Sequence, residues 1–192
     1  MAALPGPPHH LLTVAEYAAL GELETGYAEL LEGRLLMSPG PTPDHNLASA
    51  ELYHQLRPQL PDQLVVVQDV DVDLELVPPH LPGFSRRPDL VVARREARQR
   101  VRVEGGLYRA SEIVVVVEIV VPDSRRTDTV TKFGEYADAG IPHYWIVDIA
   151  RPVSLVVFGL AGEFGYRGAP AATGGFRAAH PFPVELDLDR LV

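Results

Sequence analysis

The sequence predicts an α/β fold with a central mixed β-sheet flanked by helices, and three patterns support this prediction. Apolar residues recur at a four-residue step from Ala48 to Leu60, which is typical of the buried face of a helix. After Pro61 the period changes to two residues, as expected for strands. The run from Glu112 to Val121 is almost continuously apolar, as in a strand covered on both faces. A chain that mixes these periods is typical of the α/β class.

The first half of the chain carries two helix signals among strand signals. Thr13 followed by Glu16 is a capping-box pattern, which predicts a helix through Leu20. Asp44 is the predicted cap of the helix with the four-residue step, which follows the prolines of 39–43 and runs to about Leu60. The strands or hairpin arms predicted in this half cover residues 28–37, 64–70, 70–77 and 90–93.

The second half carries the most hydrophobic strand and one more helix. Residues 94–106 are polar and rich in arginine, which favours a loop or hairpin. Thr127 or Asp128 is the predicted cap of a helix to Ala139, which Gly140 and Pro142 end. The strands predicted in this half cover residues 112–121, 143–149, 153–160 and, in the Gly- and Ala-rich tail, 184–188.

Composition excludes several classes of protein. The chain has 192 residues, of which 46% are apolar; the proline-rich residues 1–10 are expected to be disordered and 11–192 to form a single domain. No apolar run suits a membrane span or a secretory signal, so a cytoplasmic location is expected. The absence of cysteine excludes disulfides, thiolate zinc sites and cysteine nucleophiles. A net charge of −9 argues against general coating of nucleic acid, but it is compatible with a local basic cleft.

Glu118 is a candidate functional residue because it lies inside a run of valine and isoleucine. An ionised carboxylate there is costly unless it is paired or binds a metal. The alternatives are an edge strand or an ion pair with an arginine. Asp89 lies at the mouth of the strand 90–93, where an aspartate taken alone is usually a turn residue. Together, two carboxylates from neighbouring strands form an oxygen-rich site suited to Mg²⁺ or Mn²⁺.

Lys132 is the one lysine among 17 basic residues. Arginine cannot replace a compact ammonium group where one donor must approach a reacting atom, although chance or an exposed surface lysine is an ordinary alternative. If the helix after Glu118 folds back along its strand, the two side chains reach similar depths, roughly 10 Å and 8 Å along their elements. The predicted core stripe of that helix, with Lys132 and Tyr136 on its flank, is Val130, Phe133, Ala137 and Ile141.

A series of short motifs follows one order along the chain. They are Glu29-Leu30-Leu31-Glu32-Gly33, Pro43-Asp44-His45, Arg87-Pro88-Asp89-Leu90-Val91-Val92, Val117-Glu118-Ile119-Val120-Val121-Pro122-Asp123-Ser124, Asp128, Lys132, Tyr136, Ala139-Gly140-Ile141-Pro142 and Tyr144-Trp145-Ile146-Val147-Asp148. In this order they resemble the Uma-two restriction-endonuclease family, a branch of the PD-(D/E)XK nuclease superfamily. The resemblance covers roughly residues 13–160, and its specificity comes from the joint order, since each motif is weak alone.

The resemblance implies a restriction-endonuclease-like fold and Mg²⁺- or Mn²⁺-dependent hydrolysis of DNA that leaves a 5′-phosphate. It implies that Asp89 and Glu118 bind the metal. It also implies that the catalytic lysine has moved from the strand to the following helix as Lys132, since Val120 occupies its usual position. The remaining residues it implies are Glu29, as an additional catalytic acid, and Tyr136, as a supporting group. The chain departs from the family at Val121, where the family usually has serine.

Two of these residues have ordinary structural alternatives. His45 matches the histidine of the family after the proline loop, but helical spacing places it on the stripe of Ser49 and Leu52. It is therefore either a core histidine or a phosphate contact that supports the site. Glu29 lies in a leucine-rich strand, where it is either a site residue or the partner of Arg34 or another arginine.

A basic segment lies next to the candidate site. Residues 86–109 contain eight arginines and three acidic residues, which favours a phosphate-bearing substrate, although a solvated loop that aids solubility is the alternative. Arg125 and Arg126 precede the lysine helix and add to this charge. The residues predicted to bind nucleic acid are Arg94, Arg95, Arg98, Arg100, Arg102, Arg125 and Arg126.

The first functional hypothesis is therefore a metal-dependent endonuclease acting on DNA. The second is a catalytically inactive protein of the same fold that binds nucleic acid or a partner protein, which Val121 and the acidic net charge favour. A small-molecule enzyme that uses the same carboxylates is a third. A homodimer is expected by analogy with restriction enzymes.

Overall fold

The computed structural model describes residues 10–21, 26–38, 40–120 and 130–192. The helices are α1 (Val14–Leu20), α2 (Pro43–Leu56), α3 (Arg95–Glu104) and α4 (Lys132–Asp138). The strands are β1 (Tyr27–Leu31), β2 (Arg34–Ser38), β3 (Leu64–Gln68), β4 (Val72–Asp73), β5 (Ser85–Arg86), β6 (Leu90–Arg94), β7 (Tyr108–Arg109), β8 (Ile113–Val120), β9 (His143–Asp148), β10 (Ser154–Leu160), β11 (Tyr166–Gly168), β12 (Ala172–Thr173), β13 (Gly175–Ala178) and β14 (Val184–Asp187).

The larger sheet is mixed, and β8 lies in its interior. Among the described residues its strand order is β11-β10-β9-β8-β6-β3, and β12 also pairs with β10. β8 and β9 run parallel, with Glu118 opposite Ile146, whereas β6 is antiparallel to β8. The prediction of a central mixed sheet is therefore confirmed.

The two faces of this sheet carry separate cores because side chains alternate along each strand. Val117 and Ile119 pack on the face covered by α2 and by the hairpin of β13 and β14. Val116 and Val120 pack on the opposite face, which α3 and α4 cover. Burial on both faces explains the continuous apolar sequence of β8.

A smaller sheet leads into the larger one. Its strand order among the described residues is β2-β1-β5-β4-β7, and α1 packs against it through Tyr17. Thr13 and Glu16 form the predicted capping box at the start of α1. Only residues 87–89 separate β5 from β6, so the two sheets meet at the candidate site.

The prediction of a loop or hairpin over 94–106 is wrong, because this segment contains helix α3. Ala97 and Val101, one helical turn apart, pack into the core beside Ile113. Most of the other residues in the segment are arginine and glutamate, which are good helix formers. Two apolar residues among so many charged ones are too few to show a helical period in the sequence.

The strand predicted over 70–77 is confirmed only in part, since the strand formed there, β4, is limited to Val72 and Asp73. Asp69 and Glu75 have φ values of 50° and 54°, which take the chain out of the extended conformation on both sides. The Asp73 carboxylate accepts a hydrogen bond from the Glu75 N–H at 2.9 Å and fixes this turn.

The helix predicted from Asp44 to Leu60 is shorter than expected. Its cap is Thr42, whose hydroxyl accepts from the His45 N–H, and Asp44 lies in the first turn. The α-helix ends at Leu56, because Pro58 cannot donate the next helical hydrogen bond, and a 3₁₀ turn over Arg57–Gln59 follows. None of the described helices has the length and hydropathy of a membrane span.

Candidate active site

Glu118 lies in the interior of the larger sheet and is only 2% exposed. β6 and β9 flank its strand, so the edge-strand alternative is wrong. The alternation along β8 directs its side chain toward the face covered by α4, together with Val116 and Val120. A carboxylate at this depth requires compensation from charged or hydrogen-bonding groups.

Helix α4 supplies two such groups to Glu118 from successive turns. Lys132 Nζ donates to Oε1 at 3.0 Å, and Tyr136 Oη donates to the same oxygen at 2.7 Å. Burial and then the Glu118 charge raise the pKa of Tyr136 well above its ordinary value, so its hydroxyl remains a donor. The carboxylate and the lysine meet at the same depth, as the sequence predicted.

The predicted faces of α4 need correction. Lys132 is 7% exposed and Tyr136 is fully buried, whereas Val130, predicted for the core stripe, is 65% exposed. The other members of the predicted stripe do meet the core: Ile141 is fully buried in it, and Phe133 and Ala137 pack against it. The pairing with Glu118 brings the lysine inward, which an apolarity pattern alone does not indicate. The predicted caps Thr127 and Asp128 lie outside the described residues.

Glu29 reaches the same network from β1. Its Oε1 lies 3.3 Å from Lys132 Nζ and accepts from the Arg87 N–H at 3.1 Å, while Oε2 accepts from Arg86 at 2.7 Å. Burial raises the pKa of Glu29, but the charges of Lys132 and Arg86 outweigh burial and hold this pKa below its ordinary value. Glu29 is therefore a buried anion shared between two cations.

Arg86 is a site residue that the sequence did not reveal. It is 1% exposed, and it donates from Nε and Nη2 to both oxygens of Glu135 at 2.6 and 2.7 Å. Because Glu135 lies on α4 and Glu29 lies on β1, the guanidinium joins β5 to both elements. Burial lowers the pKa of Arg86, but the hydrogen bonds and charges of its two carboxylate partners raise it overall, so the group stays charged.

Asp89 lies beside the backbone that follows Glu118. The register pairs Leu90 with Val117, and its continuation by one residue places Asp89 opposite Glu118. The Asp89 carboxylate accepts from the Ile119 N–H at 2.6 Å. By this continued register, Asp89 stands just before β6 at the position opposite Glu118 of β8.

His45 contacts Asp89 from the first turn of α2. Its Nε2 lies 3.0 Å from Asp89 Oδ1, and its buried Nδ1 has no hydrogen-bond partner among the described residues. Burial lowers the pKa of His45, whereas the hydrogen bond and charge of Asp89 and the charge of Asp69 raise it overall. Asp69 is a second residue that the sequence did not reveal; burial and then the Asp89 charge raise its pKa.

The predicted nucleic-acid-binding arginines divide into two sets. Arg95 donates to the Asp62 and Leu64 carbonyls, and Arg100 donates to both oxygens of Glu112, so these two support the fold. The rest of the described set is exposed and forms a stripe at four-residue spacing: Arg94, which ends β6, and Arg98 and Arg102 on α3. This helix begins at the end of β6 that is remote from Asp89. Arg125, Arg126 and Val121 lie outside the described residues.

The mixed sheet and the helices that cover it define an α/β protein. The fold is similar to a solved structure described as a putative nuclease belonging to DUF820 from Anabaena variabilis ATCC 29413. The TM-score is 0.66 at 17% identity, over 94% of this chain and 97% of that chain. An identity this low supports the fold alone.

The family follows from the sequence itself. The Uma2 family model, described as "Putative restriction endonuclease", matches residues 14–189. The chain therefore belongs to the Uma2 family, and the resemblance drawn from its motifs is confirmed. No curated protein matched the sequence.

Proposed function

We propose that this chain is a divalent-metal-dependent endonuclease that hydrolyses phosphodiester bonds in DNA. The observation that carries the proposal is the contact of its sole lysine with Glu118, at 3.0 Å inside the covered sheet. Membership of the Uma2 family supports a nucleic-acid substrate. The proposed metal ligands are Asp89 and Glu118; the other catalytic residues are Lys132 and Glu29, with Tyr136 and His45 in supporting roles.

The chemistry of the donors fits Mg²⁺ or Mn²⁺. Both ions prefer carboxylate oxygens, and Mg²⁺ commonly binds one or two carboxylates while it keeps several waters. Within the described residues, no group of three or more His, Asp or Glu side chains is arranged to hold a metal. Asp89 and Glu118 would therefore hold the ion together with water and substrate. A bound cation supplies Lewis acidity and neutralises charge at the phosphate.

The protein groups around Glu118 are arranged before substrate arrives. Tyr136 and Lys132 both hold Oε1, which fixes the orientation of the carboxylate. Glu29 holds the ammonium from the other side at 3.3 Å, so Nζ has a defined position from which to donate to a phosphoryl oxygen or to orient water. Ile119 and His45 fix Asp89 in the same way.

Nicking of supercoiled plasmid DNA tests the proposal. We expect nicking with Mg²⁺ or Mn²⁺, none with EDTA, and none from Glu118→Gln or Lys132→Ala. Arg57→Gln is the matched control, because Arg57 is exposed on the 3₁₀ turn after α2 and should leave nicking unchanged. Plasmid that remains intact with the wild type in both metals would contradict the proposal.

A second candidate function is binding of nucleic acid without cleavage. The observation that favours it is the double engagement of Glu118 Oε1 by Lys132 and Tyr136, which an incoming cation must rearrange. Under this alternative, calorimetry detects no binding of Mn²⁺ to the wild type, whereas the endonuclease binds Mn²⁺ and Glu118→Gln binds it more weakly. A homodimer remains part of the proposal and is measured by light scattering in solution.

A further inference from the structure

A cavity opens where α1 ends and β1 begins. Its volume is about 360 Å³, and its lining includes Tyr17, Leu20, Gly21, Tyr27, Ala28 and Arg87. This volume lies at the lower end of the range for small-ligand cavities, roughly 300–1,000 Å³. None of the catalytic groups proposed above lies in its wall.

Planar groups form the cavity wall. The guanidinium of Arg87 lies over the ring of Tyr27, 5.0 Å from its centroid. Tyr17 adds a second ring, whose hydroxyl lies 2.6 Å from the Ala28 carbonyl oxygen and 3.1 Å from Asp71. Flat aromatic and guanidinium surfaces of this kind are those on which unstacked nucleobases stack in proteins.

The positive charge of Arg87 is already paired with the Asp71 carboxylate. Its Nε and Nη2 donate to the two oxygens of Asp71 at 2.9 and 2.6 Å. A phosphate at this point would face the Asp71 carboxylate as well as the guanidinium. The wall therefore favours a flat, uncharged ring over a free anion.

The cavity adjoins the candidate active site through β1. Tyr27 and Glu29 are two residues apart on one strand, so their side chains lie on the same face, roughly 7 Å apart. The Arg87 N–H that donates to Glu29 belongs to the same residue whose side chain covers Tyr27. A group held in the cavity thus lies within about one or two nucleotides of Lys132.

We propose that this cavity binds one nucleobase of the substrate strand, turned out of its stack against Tyr27 and Arg87. This inference rests on the proposed function, because it makes the cavity a subsite of the same nucleic-acid cleft. The base adds affinity and fixes the register of the strand relative to Glu29. Extrusion of a base is easiest in single-stranded or mismatched DNA, so such substrates are preferred.

The test measures binding without cleavage. The full chain in EDTA is titrated against a fluorescent 12-nucleotide oligothymidylate and against an abasic 12-mer with the same phosphates. We expect the wild type to bind the oligothymidylate at least fivefold more tightly. Tyr27→Leu should reduce this ratio to about one, while Tyr27→Phe, which keeps the ring, should retain it. Leu20→Trp, which fills the cavity and leaves Tyr27 in place, should also abolish the ratio.

Each outcome bears on the inference separately from the endonuclease proposal. A wild-type ratio near one, a failure to bind either oligomer, or a ratio that survives in both Tyr27→Leu and Leu20→Trp overturns the base subsite. Thermal unfolding shows which variants are folded. If Tyr27→Leu does not fold, the binding ratio of Leu20→Trp decides between the presence and the absence of the base subsite. If the wild type nicks DNA in a metal-dependent way but the two variants keep the wild-type binding ratio, the subsite is overturned and the endonuclease proposal is not. A base-dependent ratio without nicking supports the subsite and overturns the proposed cleavage.

Discussion

At the scale of single residues, the site is organised around a buried ammonium group between two carboxylates. Lys132 lies 3.0 Å from Glu118 and 3.3 Å from Glu29, and all three side chains are buried. A guanidinium brings a rigid plane of donors, is larger, and cannot replace this point charge. The identity of the cation, and not only its charge, is therefore a testable property of the site.

We expect Lys132→Arg to cleave DNA as poorly as Lys132→Ala, at least about a hundredfold more slowly than the wild type. Initial rates of plasmid nicking at saturating Mg²⁺ measure this. Because Lys132 is buried between two carboxylates, Lys132→Ala should also lower the free energy of unfolding by about 3–5 kcal/mol. Wild-type rates in Lys132→Arg would remove the catalytic role.

Metal binding should be visible as a change in stability. A cation that binds only the folded chain raises the free energy of unfolding by about 2.7 kcal/mol at a concentration one hundred times its Kd. We expect Mn²⁺ to raise the Tm of the wild type and to leave that of Glu118→Gln nearly unchanged. A wild-type Tm that stays constant up to millimolar Mn²⁺ would exclude a metal site at these carboxylates.

At the scale of elements, helix α4 is placed by side-chain contacts to three different strands. Tyr136 and Lys132 bind β8, Lys132 also binds β1, and Glu135 binds Arg86 of β5. The pattern of apolar residues predicted the helix, its approximate end and its approach to Glu118. It did not reveal Arg86 or Glu135, because their function depends on pairing between residues 49 positions apart. Sequence spacing reports local periodicity, whereas such pairs are set by how the two sheets meet.

Removal of the Arg86 guanidinium should destabilise the protein strongly. Arg86→Met leaves the buried Glu29 and the partly buried Glu135 without this partner, and we expect a loss of about 3–5 kcal/mol in the free energy of unfolding. Urea titration measures this. Arg177→Met is the control, since Arg177 pairs with Glu185 on the exposed surface and should lose less than about 1 kcal/mol. Equal losses of unfolding free energy in the two variants would show that the buried ion pairs of Arg86 contribute no more to stability than an exposed pair.

The exposed stripe on α3 predicts how DNA binding depends on salt. Arg98 and Arg102 lie on one face of the helix, so Arg98→Glu with Arg102→Glu should weaken binding most at low salt. The slope of log affinity against log salt should become shallower by about two. Arg57→Glu with Arg167→Glu, two exposed sites outside α3, is the matched control. An unchanged slope in the α3 variant would place the DNA elsewhere.

At the scale of the whole molecule, two sheets share one charged junction. The sequence predicted the larger sheet well, because alternation and continuous apolar runs determine strands locally. It predicted the smaller sheet poorly, because β4, β5 and β7 are two residues each and their pairing leaves no period to detect. The position of Asp89 opposite Glu118 depends on both sheets, because Asp89 lies in the short connection from β5 of the smaller sheet to β6 of the larger one.

This junction should make the fold sensitive to acid. The pKa of Glu29 in the folded chain lies below its ordinary value of 4.5, so its contribution to stability is present above that value and is lost as pH falls through the folded pKa. We expect the free energy of unfolding to decrease below about pH 4.5 less steeply in Glu29→Gln than in the wild type. Urea midpoints between pH 6 and pH 3 measure both slopes. Parallel curves would show that Glu29 does not carry this dependence.

The span of the charged junction along the chain also sets when the site can exist. Glu29 comes from the first third of the sequence, Glu118 from the second and Lys132 from the last. While α4 is still inside the ribosome, the emerged part of the chain lacks Lys132, Tyr136 and Glu135, because all three lie on this helix. Long-range contacts of this kind form late in folding. Under the proposed function, a growing polypeptide cannot cleave DNA until its synthesis is well past α4, so the order of synthesis delays the activity.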